Sequence, residues 1–340
     1  MKKNKFKFAL FGSGYSLVYF AKKLKEMDLA DPFIFTHPEV DYKQDNKNFK
    51  GKIFFSNIFK YSKENKLSHF QFKDFNSSQV LKILKKNKIN FGFSYASRTI
   101  FSERIIKYFK KNLFNLHPSF LPENRGGGTY SWTILNDYKY IGATIHLVNK
   151  RIDEGNIIFQ KKTKINLHKK KVYLERLMLE FNGLSEKLID KFLFNISINK
   201  TLKYKKQKEN NSTYLPRLYT TLNGAIDWNL DIDNIEKFIR AFSNPYPGSF
   251  TFIKNKKVII KSIKIVDRNS KFHPLCYGRV YSINNEDGSI KVICNGGIIK
   301  IKELYVSNKK YNASKIVNKL TIFHSPLDVI LDAKFKILST

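Results

Sequence analysis

An apolar, aromatic run from Phe6 to Phe11 ends in Gly12-Ser13-Gly14, and Leu17, Phe20 and Leu24 follow near helical spacing. A strand that turns through glycines into a helix opens a doubly wound α/β fold, whose strands are covered by the helices between them. The same Gly-x-Gly also opens a dinucleotide-binding turn. Here Leu17 stands where the later glycine of that fingerprint belongs, so a tight turn built from small residues accounts for both glycines.

The alternation continues. Pro32–Thr36 reads as a second strand, Asn57–Asn65 and Ser77–Asn87 as helices, and Ile89–Tyr95 as a buried strand. Ser102 is placed to begin a helix that reaches Phe109. Asn112–His117 is the next strand. Pro118 and Pro122 cannot continue in a central strand, so the chain leaves the sheet directly after His117. Functional groups of open α/β sheets gather at such carboxyl ends. Asn115 and His117 are two apart on an extended segment and leave it on one face. Ile141–Val148 and Asn156–Lys164 read as further strands, with Asp153-Glu154-Gly155 in the turn between them. An amide, an imidazole and a carboxylate are the groups that acyl transfer onto an amine requires. Asn115 suits the developing oxyanion. His117 suits the amine proton, because an imidazole changes charge near neutral pH. Asp153 is placed to hold one ring nitrogen of His117 while the other faces the substrate. Whether His117 is the base or an oxyanion donor stays open. Arg125-Gly126-Gly127 leaves main chain exposed ahead of a helix, a plausible anion contact, and Arg98 follows the end of the Ser94 strand as a second basic group. His146 reads as a supporting polar residue. His37, His69 and His168 read as surface residues, and the His, Cys and acidic residues show no metal-ligand spacing.

Three separated blocks, Asn115-x-His117-Pro118-Ser119-x-Leu121-Pro122-x-x-Arg125-Gly126, Gly142-Ala143-Thr144-Ile145-His146 and Asp153-x-Gly155-x-Ile157-Ile158-x-Gln160, together resemble the folate-dependent formyltransferase family. That family includes methionyl-tRNA, glycinamide ribonucleotide and nucleotide-linked amino-sugar formyltransferases. The resemblance implies a mostly parallel catalytic sheet, 10-formyltetrahydrofolate as formyl donor, and Asn115, His117 and Asp153 as the catalytic set. It also implies a pterin between Ser94, Tyr95 and Ala96 on one wall and Glu154 and Gly155 on the other; Arg98, Arg125, Gly126 and Gly127, read above as basic and anion-contact groups, are the expected acceptor-binding residues. After Gly128 the chain departs from the common family pattern with Thr129-Tyr130-Ser131-Trp132; the expected acceptor is an amino sugar on a nucleotide, with initiator methionyl-tRNA as the alternative.

Val172–Ile198 is a long helical pattern that closes the first domain, taken as 1–199. Lys200–Ser212 is almost devoid of apolar residues and reads as a linker. From 213 to 340 the expectation is a smaller, mainly β, OB-like domain. It has a helix near Ile232–Phe242 and short strands at Phe250–Ile253, Val258–Ile265, Arg279–Ile283, Ser289–Cys294 and Ile298–Leu304. Ile226-Asp227-Trp228, Ile239-Arg240-Ala241 and Pro247-Gly248 resemble the C-terminal region of methionyl-tRNA and aminoarabinose formyltransferases.

The formal net charge of +34 invites a nucleic-acid reading. Only nine of the 62 basic residues are Arg, however, and Lys, Asn, Phe and Ile abound together, which is the mark of A/T-rich codons. Selected phosphate readers lean on Arg as well. Cys276 and Cys294 are too few for a disulfide framework or a four-Cys zinc site. No signal peptide or membrane span is legible, so the expected setting is cytoplasmic, with no membrane partner and a homodimer admitted.

Overall fold

The computed structural model describes residues 6–42, 49–165 and 172–335; His168 lies outside them. The chain forms two compact units, and each is interrupted in sequence. The first comprises Met1–Thr129, Tyr138–Asn166 and Arg176–Pro216, and the second Tyr130–Asp137, Leu167–Glu175 and Arg217–Thr340. This division differs from the contiguous one expected. The stretch read as a linker lies within the first unit.

The first unit is built on β1 (Phe8–Gly12), β2 (Phe33–Thr36), β3 (His69–Gln71), β4 (Phe91–Tyr95), β5 (Leu113–His117), β7 (Tyr140–Leu147) and β8 (Ile157–Lys164), with a short β6 (Arg125–Gly126) outside the main sheet. Sheet order is β3-β2-β1-β4-β5-β7-β8. The strands are parallel from β3 to β5, while β7 and β8 run antiparallel. This is the mostly parallel α/β sheet expected. Helices α1 (Tyr15–Glu26), α2 (Ile58–Glu64), α3 (Ser78–Lys86), α4 (Glu103–Phe109) and the long Leu174–Ser197 helix alternate with the strands as the apolar spacing required. Asn57 caps α2 by accepting from the Phe59 and Lys60 amides, and Ser77 caps α3 by accepting from Val80. The interior is aromatic: Phe11 packs on Phe35, Phe75, Phe101 and Phe109, all buried. Gly12 has φ +112°, and a Cβ there would lie 2.0 Å from the Tyr95 carbonyl oxygen. The Ser13 amide donates to that same oxygen at 3.1 Å. The glycine turn thus serves the close approach of β1 and β4, as a tight turn requires.

Two histidines expected at the surface lie inside. His37 is 2% exposed, stacks on Phe75, accepts from the Arg98 amide through Nε2 at 3.1 Å, and turns Nδ1 to the Lys73 carbonyl at 3.1 Å. Those partners fix a neutral ring, protonated on Nδ1. Burial, the largest influence, pushes its pKa below the usual imidazole value. His69 is half-buried, with Thr36 Oγ1 at 2.8 Å and Ser62 Oγ at 3.3 Å on its two nitrogens.

In the second unit, β10 (Ser249–Ile253), β11 (Lys256–Ile260), β16 (Glu303–Val306), β17 (Lys309–Asn312) and β18 (Phe323–His324) form one sheet, and β12 (Lys264–Asp267), β13 (Val280–Asn284), β14 (Ser289–Cys294) and β15 (Gly297–Ile301) form another. Trp228, Ile235, Ile239, Val258, Ile290 and Ile299 share one apolar core. The Ile232–Ala241 helix is capped by Asp231, whose side chain accepts from Asn234. Two runs each expected as a single strand, Val258–Ile265 and Ile298–Leu304, are broken. Each changes sheet part-way, although both sides of the break stay apolar. Among the described residues no helix is long and apolar enough to cross a membrane.

Candidate functional site

The β5/β7 register sets Asn115 opposite His146 and His117 opposite Thr144, and on its other side Ser94 of β4 lies beside Asn115. The loop leaving β5 is pinned back on the sheet. Thr144 Oγ1 donates to the Ser119 carbonyl at 2.7 Å and accepts from the Leu121 amide at 3.2 Å, and Gln160 donates to the Leu121 carbonyl. Gly142 permits this approach, since a Cβ there would lie 2.4 Å from the Phe120 nitrogen.

The turn between β7 and β8 brings Asp153 onto this strand end. Its side chain is 11% exposed. Oδ2 faces His117 Nδ1 at 3.3 Å and accepts from the Gly126 amide at 3.0 Å. Oδ1 accepts from Asn115 Nδ2 at 3.4 Å and faces His146 Nε2 at 3.4 Å. Burial by itself would raise the carboxyl pKa and is the largest single influence. The charge of His117, the bond and charge of His146 and the Gly126 N–H together outweigh it and hold Asp153 well below the usual carboxylate range. Asn115, His117 and Asp153, separated by up to 38 positions in sequence, therefore form one cluster, with His146 as a fourth member.

Two details differ from expectation. The second ring nitrogen of His117 does not face outward: Nε2 lies 2.8 Å from the Asn124 carbonyl. Both nitrogens thus face acceptors, Nδ1 the Asp153 carboxylate and Nε2 the Asn124 carbonyl. The Asn115 amide nitrogen is likewise turned inward, 3.1 Å from His146 Nε2. His146 Nδ1 faces the Leu147 carbonyl at 2.8 Å, and its Nε2 lies between the Asn115 amide and Asp153 Oδ1.

Arg125, Gly126 and Gly127, where an anion contact was expected, already have partners within the chain. Arg125 is 4% exposed. Its guanidinium donates to Gln207 Oε1 at 3.2 and 2.9 Å and grips both Glu209 oxygens at 3.1 and 3.0 Å, with Glu154 at 3.6 Å. The Gly126 amide is used on Asp153 and the Gly127 amide on the Leu215 carbonyl at 3.0 Å, within the short pairing of β6 with β9 (Tyr214–Leu215). Four of the five guanidinium N–H groups are used on Gln207 and Glu209, and Glu154 lies 3.6 Å from Nη1. Glu154 also meets Arg151 at 3.4 Å.

On the opposite wall, Tyr95 stacks on Phe181, and Ala96 is exposed with φ +50°. Arg98 is exposed and belongs, through its amide, to the His37 side of the sheet. Gly155 is buried where a Cβ would lie 1.6 Å from the Leu147 carbonyl oxygen. Sequence reasoning missed Asn124, Gln207, Glu209 and Thr213. Asn124 and Thr213 act through main chain and a hydroxyl, with Thr213 Oγ1 accepting from the Asn124 amide at 2.7 Å. Among the described residues no group of three His, Cys, Asp or Glu is placed to hold a metal.

Residues 17–188 match the family described as formyl transferase, and residues 220–321 match the formyl transferase C-terminal domain. The chain belongs to the formyl transferase family. It is similar to the bifunctional polymyxin resistance protein ArnA of Wigglesworthia glossinidia brevipalpis, at 32% identity over 282 residues covering 80% of this chain and 39% of the relative. The chain thus spans about two fifths of that relative's length. A methionyl-tRNA formyltransferase of Clostridium tetani is 28% identical over 68% of this chain and 71% of its own. Among solved structures, WlaRD, a sugar 3N-formyl transferase crystallised with dTDP and 5-N-formyl-THF, aligns with TM-score 0.61 at 21% identity over 90% of this chain and 99% of its own. The N-formyltransferase from Helicobacter canadensis, in complex with folinic acid and dTDP-3-aminofucose, aligns with TM-score 0.60 at 20% identity over 88% and 100%. At such identities the two structures establish the shared fold, which includes the β-rich second part of the chain.

Proposed function

We propose that this formyltransferase carries a formyl group from 10-formyltetrahydrofolate to the primary amine of a nucleotide-linked amino sugar through a tetrahedral intermediate. The observation that carries the reading is the buried Asp153 carboxylate, held ionised between two imidazoles and beside the Asn115 amide. The amine attacks the formyl carbon, charge gathers on the former carbonyl oxygen, and collapse releases tetrahydrofolate. Asn115 supplies the N–H for that oxygen once its amide turns from His146 and Asp153, and an oxyanion donor of this kind contributes about 3–4 kcal/mol. His117 handles the amine proton, with the Asp153 charge stabilising its imidazolium. For this role the ring acts in its neutral form, with its proton on the Nδ1 that faces Asp153; the Nε2 contact with the Asn124 carbonyl opens, and Nε2 takes the amine proton and passes it to the departing folate nitrogen. The pterin fits between Ser94–Tyr95–Ala96 and Glu154–Gly155: β4 and β5 end side by side, and the exposed Ala96 peptide follows directly. Arg98 is the basic side chain assigned to acceptor phosphate.

Transfer to initiator methionyl-tRNA is the second reading. The curated relatives named methionyl-tRNA formyltransferase and the Lys-rich surface favour it. The test follows tetrahydrofolate release from 10-formyltetrahydrofolate with a panel of nucleotide-linked amino sugars and with charged initiator tRNA. The sugar reading expects turnover with a sugar and weak salt dependence. A tRNA acceptor expects KM to climb steeply with salt, by about a factor of 10³ or more between 50 and 200 mM for six or more phosphate contacts.

A further inference from the structure

Between Thr201 and Asn210, Gln207 is the buried residue of a stretch otherwise largely exposed. All its amide capacity is used. Nε2 donates to the carbonyls of Asp153 at 2.7 Å and Gly155 at 2.8 Å, and Oε1 accepts twice from Arg125. Two loops meet on this one side chain. One carries Asp153, a non-glycine residue at φ +55°. The other carries the Asn124 carbonyl that faces His117 Nε2 and the Gly126 amide that binds Asp153 Oδ2. The flanking chain is tied to the same two loops. Lys205 and Ile157 exchange main-chain bonds of 2.9 and 2.8 Å, and Thr213 accepts from the Arg125 amide through its carbonyl. The strap is therefore anchored on both sides of Gln207, and Gln207 spans the gap.

We propose that Gln207 is a positioning residue for formyl transfer, its amide fixing the Asp153 turn against the Asn124–Gly126 loop so that the carboxylate meets His117. This rests on the formyl-transfer reading above. The polarity of the amide permits a selective perturbation. Gln207→Glu keeps an acceptor for Arg125, with added charge, but turns an oxygen toward the two carbonyls that Nε2 served. One loop stays held and the other is released.

The experiment compares the full chain with Gln207→Glu, Gln207→Asn and, as control, Lys208→Ala, whose side chain is exposed. Steady-state turnover, thermal melting and ¹⁵N resonances of the His117 ring in histidine-labelled protein are measured for each. The expected result for Gln207→Glu is a kcat lower by about ten- to a hundredfold, the scale of a misplaced reacting group. Acceptor KM changes little, the pH–rate profile shifts and the His117 ring resonances move. Lys208→Ala matches the parent. A Gln207→Glu protein that melts lower, yet keeps parental kcat and His117 resonances, overturns the proposal and leaves Gln207 a structural residue. Should that variant not fold, Gln207→Asn, too short to span both loops, is read by the same criteria. If the parent releases no tetrahydrofolate with any acceptor, the formyl-transfer reading fails by itself. The ring resonances then decide the positioning claim, with unchanged resonances overturning it.

Discussion

Asp153 in the first unit and Asp287 in the second are both held below the ordinary carboxylate range, by opposite means. Asp287 sits at the surface, where Lys300 at 2.5 Å and the Ser289 hydroxyl and amide bind it. Water screens that arrangement, and losing it leaves two solvated groups. Asp153 is surrounded by protein. Burial works against its charge, and its partners together outweigh that cost and keep it ionised. Equal displacement of a titration thus conceals unequal consequences. The surface carboxylate is an ornament of its β-sheet, whereas the interior one organises four residues and two loops.

The largest effect expected from breaking this contrast is on turnover. His117→Ala should cut kcat by at least about a hundredfold, the usual scale for an acid–base group. Asp153→Asn should impair the same step while circular dichroism stays unchanged. Parental rates in either variant would remove the buried pair from the reaction. A smaller effect concerns stability against pH. His37 is buried neutral, so the folded state binds its proton less readily than the unfolded chain does. Its contribution is complete above the unfolded imidazole value of about 6.5 and is lost as pH falls below it. Melting temperatures measured from pH 7.5 to 5 should fall, and His37→Gln should flatten that slope. A slope identical in the variant would assign the loss to other groups. Asp153, also depressed, stabilises above the ordinary carboxylate range and loses its contribution only at still lower pH, so the two groups separate on the pH axis. The smallest effect belongs to Asp287→Asn, for which kcat and the pH–rate profile should match the parent. A changed profile would show that the surface pair reaches the chemistry after all.

Much of the first unit was legible because its central strands are largely buried on both faces and its helices carry a clear apolar stripe. Asn115 and His117 could be placed because two prolines fix where β5 ends, and Asp153 because a turn separates two recognisable strands. What escaped has a common cause. β17 is exposed at every position, so no periodicity marks it. The breaks between β11 and β12 and between β15 and β16 separate apolar residues from apolar residues, and a change of sheet leaves no trace in composition. Gln207 lies in a lysine-rich stretch whose structure comes from single main-chain bridges and one side chain, neither of which has a sequence period. The intrachain partners of Arg125 escaped for a different reason. A basic residue before glycines signals an anion site only when its partner is not already in the chain, and that partner, Glu209, stood 84 positions away.

The interleaving of the two units has a consequence for biosynthesis. During translation the first unit is complete only when Tyr214–Leu215 has emerged to pair with β6, by which time Tyr130–Asp137, a segment of the other unit, has long since left the ribosome. The second unit finishes later still, with the segment from Arg217 onward. The nascent protein must hold one part-built core while the second accumulates, a regime in which exposed apolar surface persists and chaperone engagement is favoured.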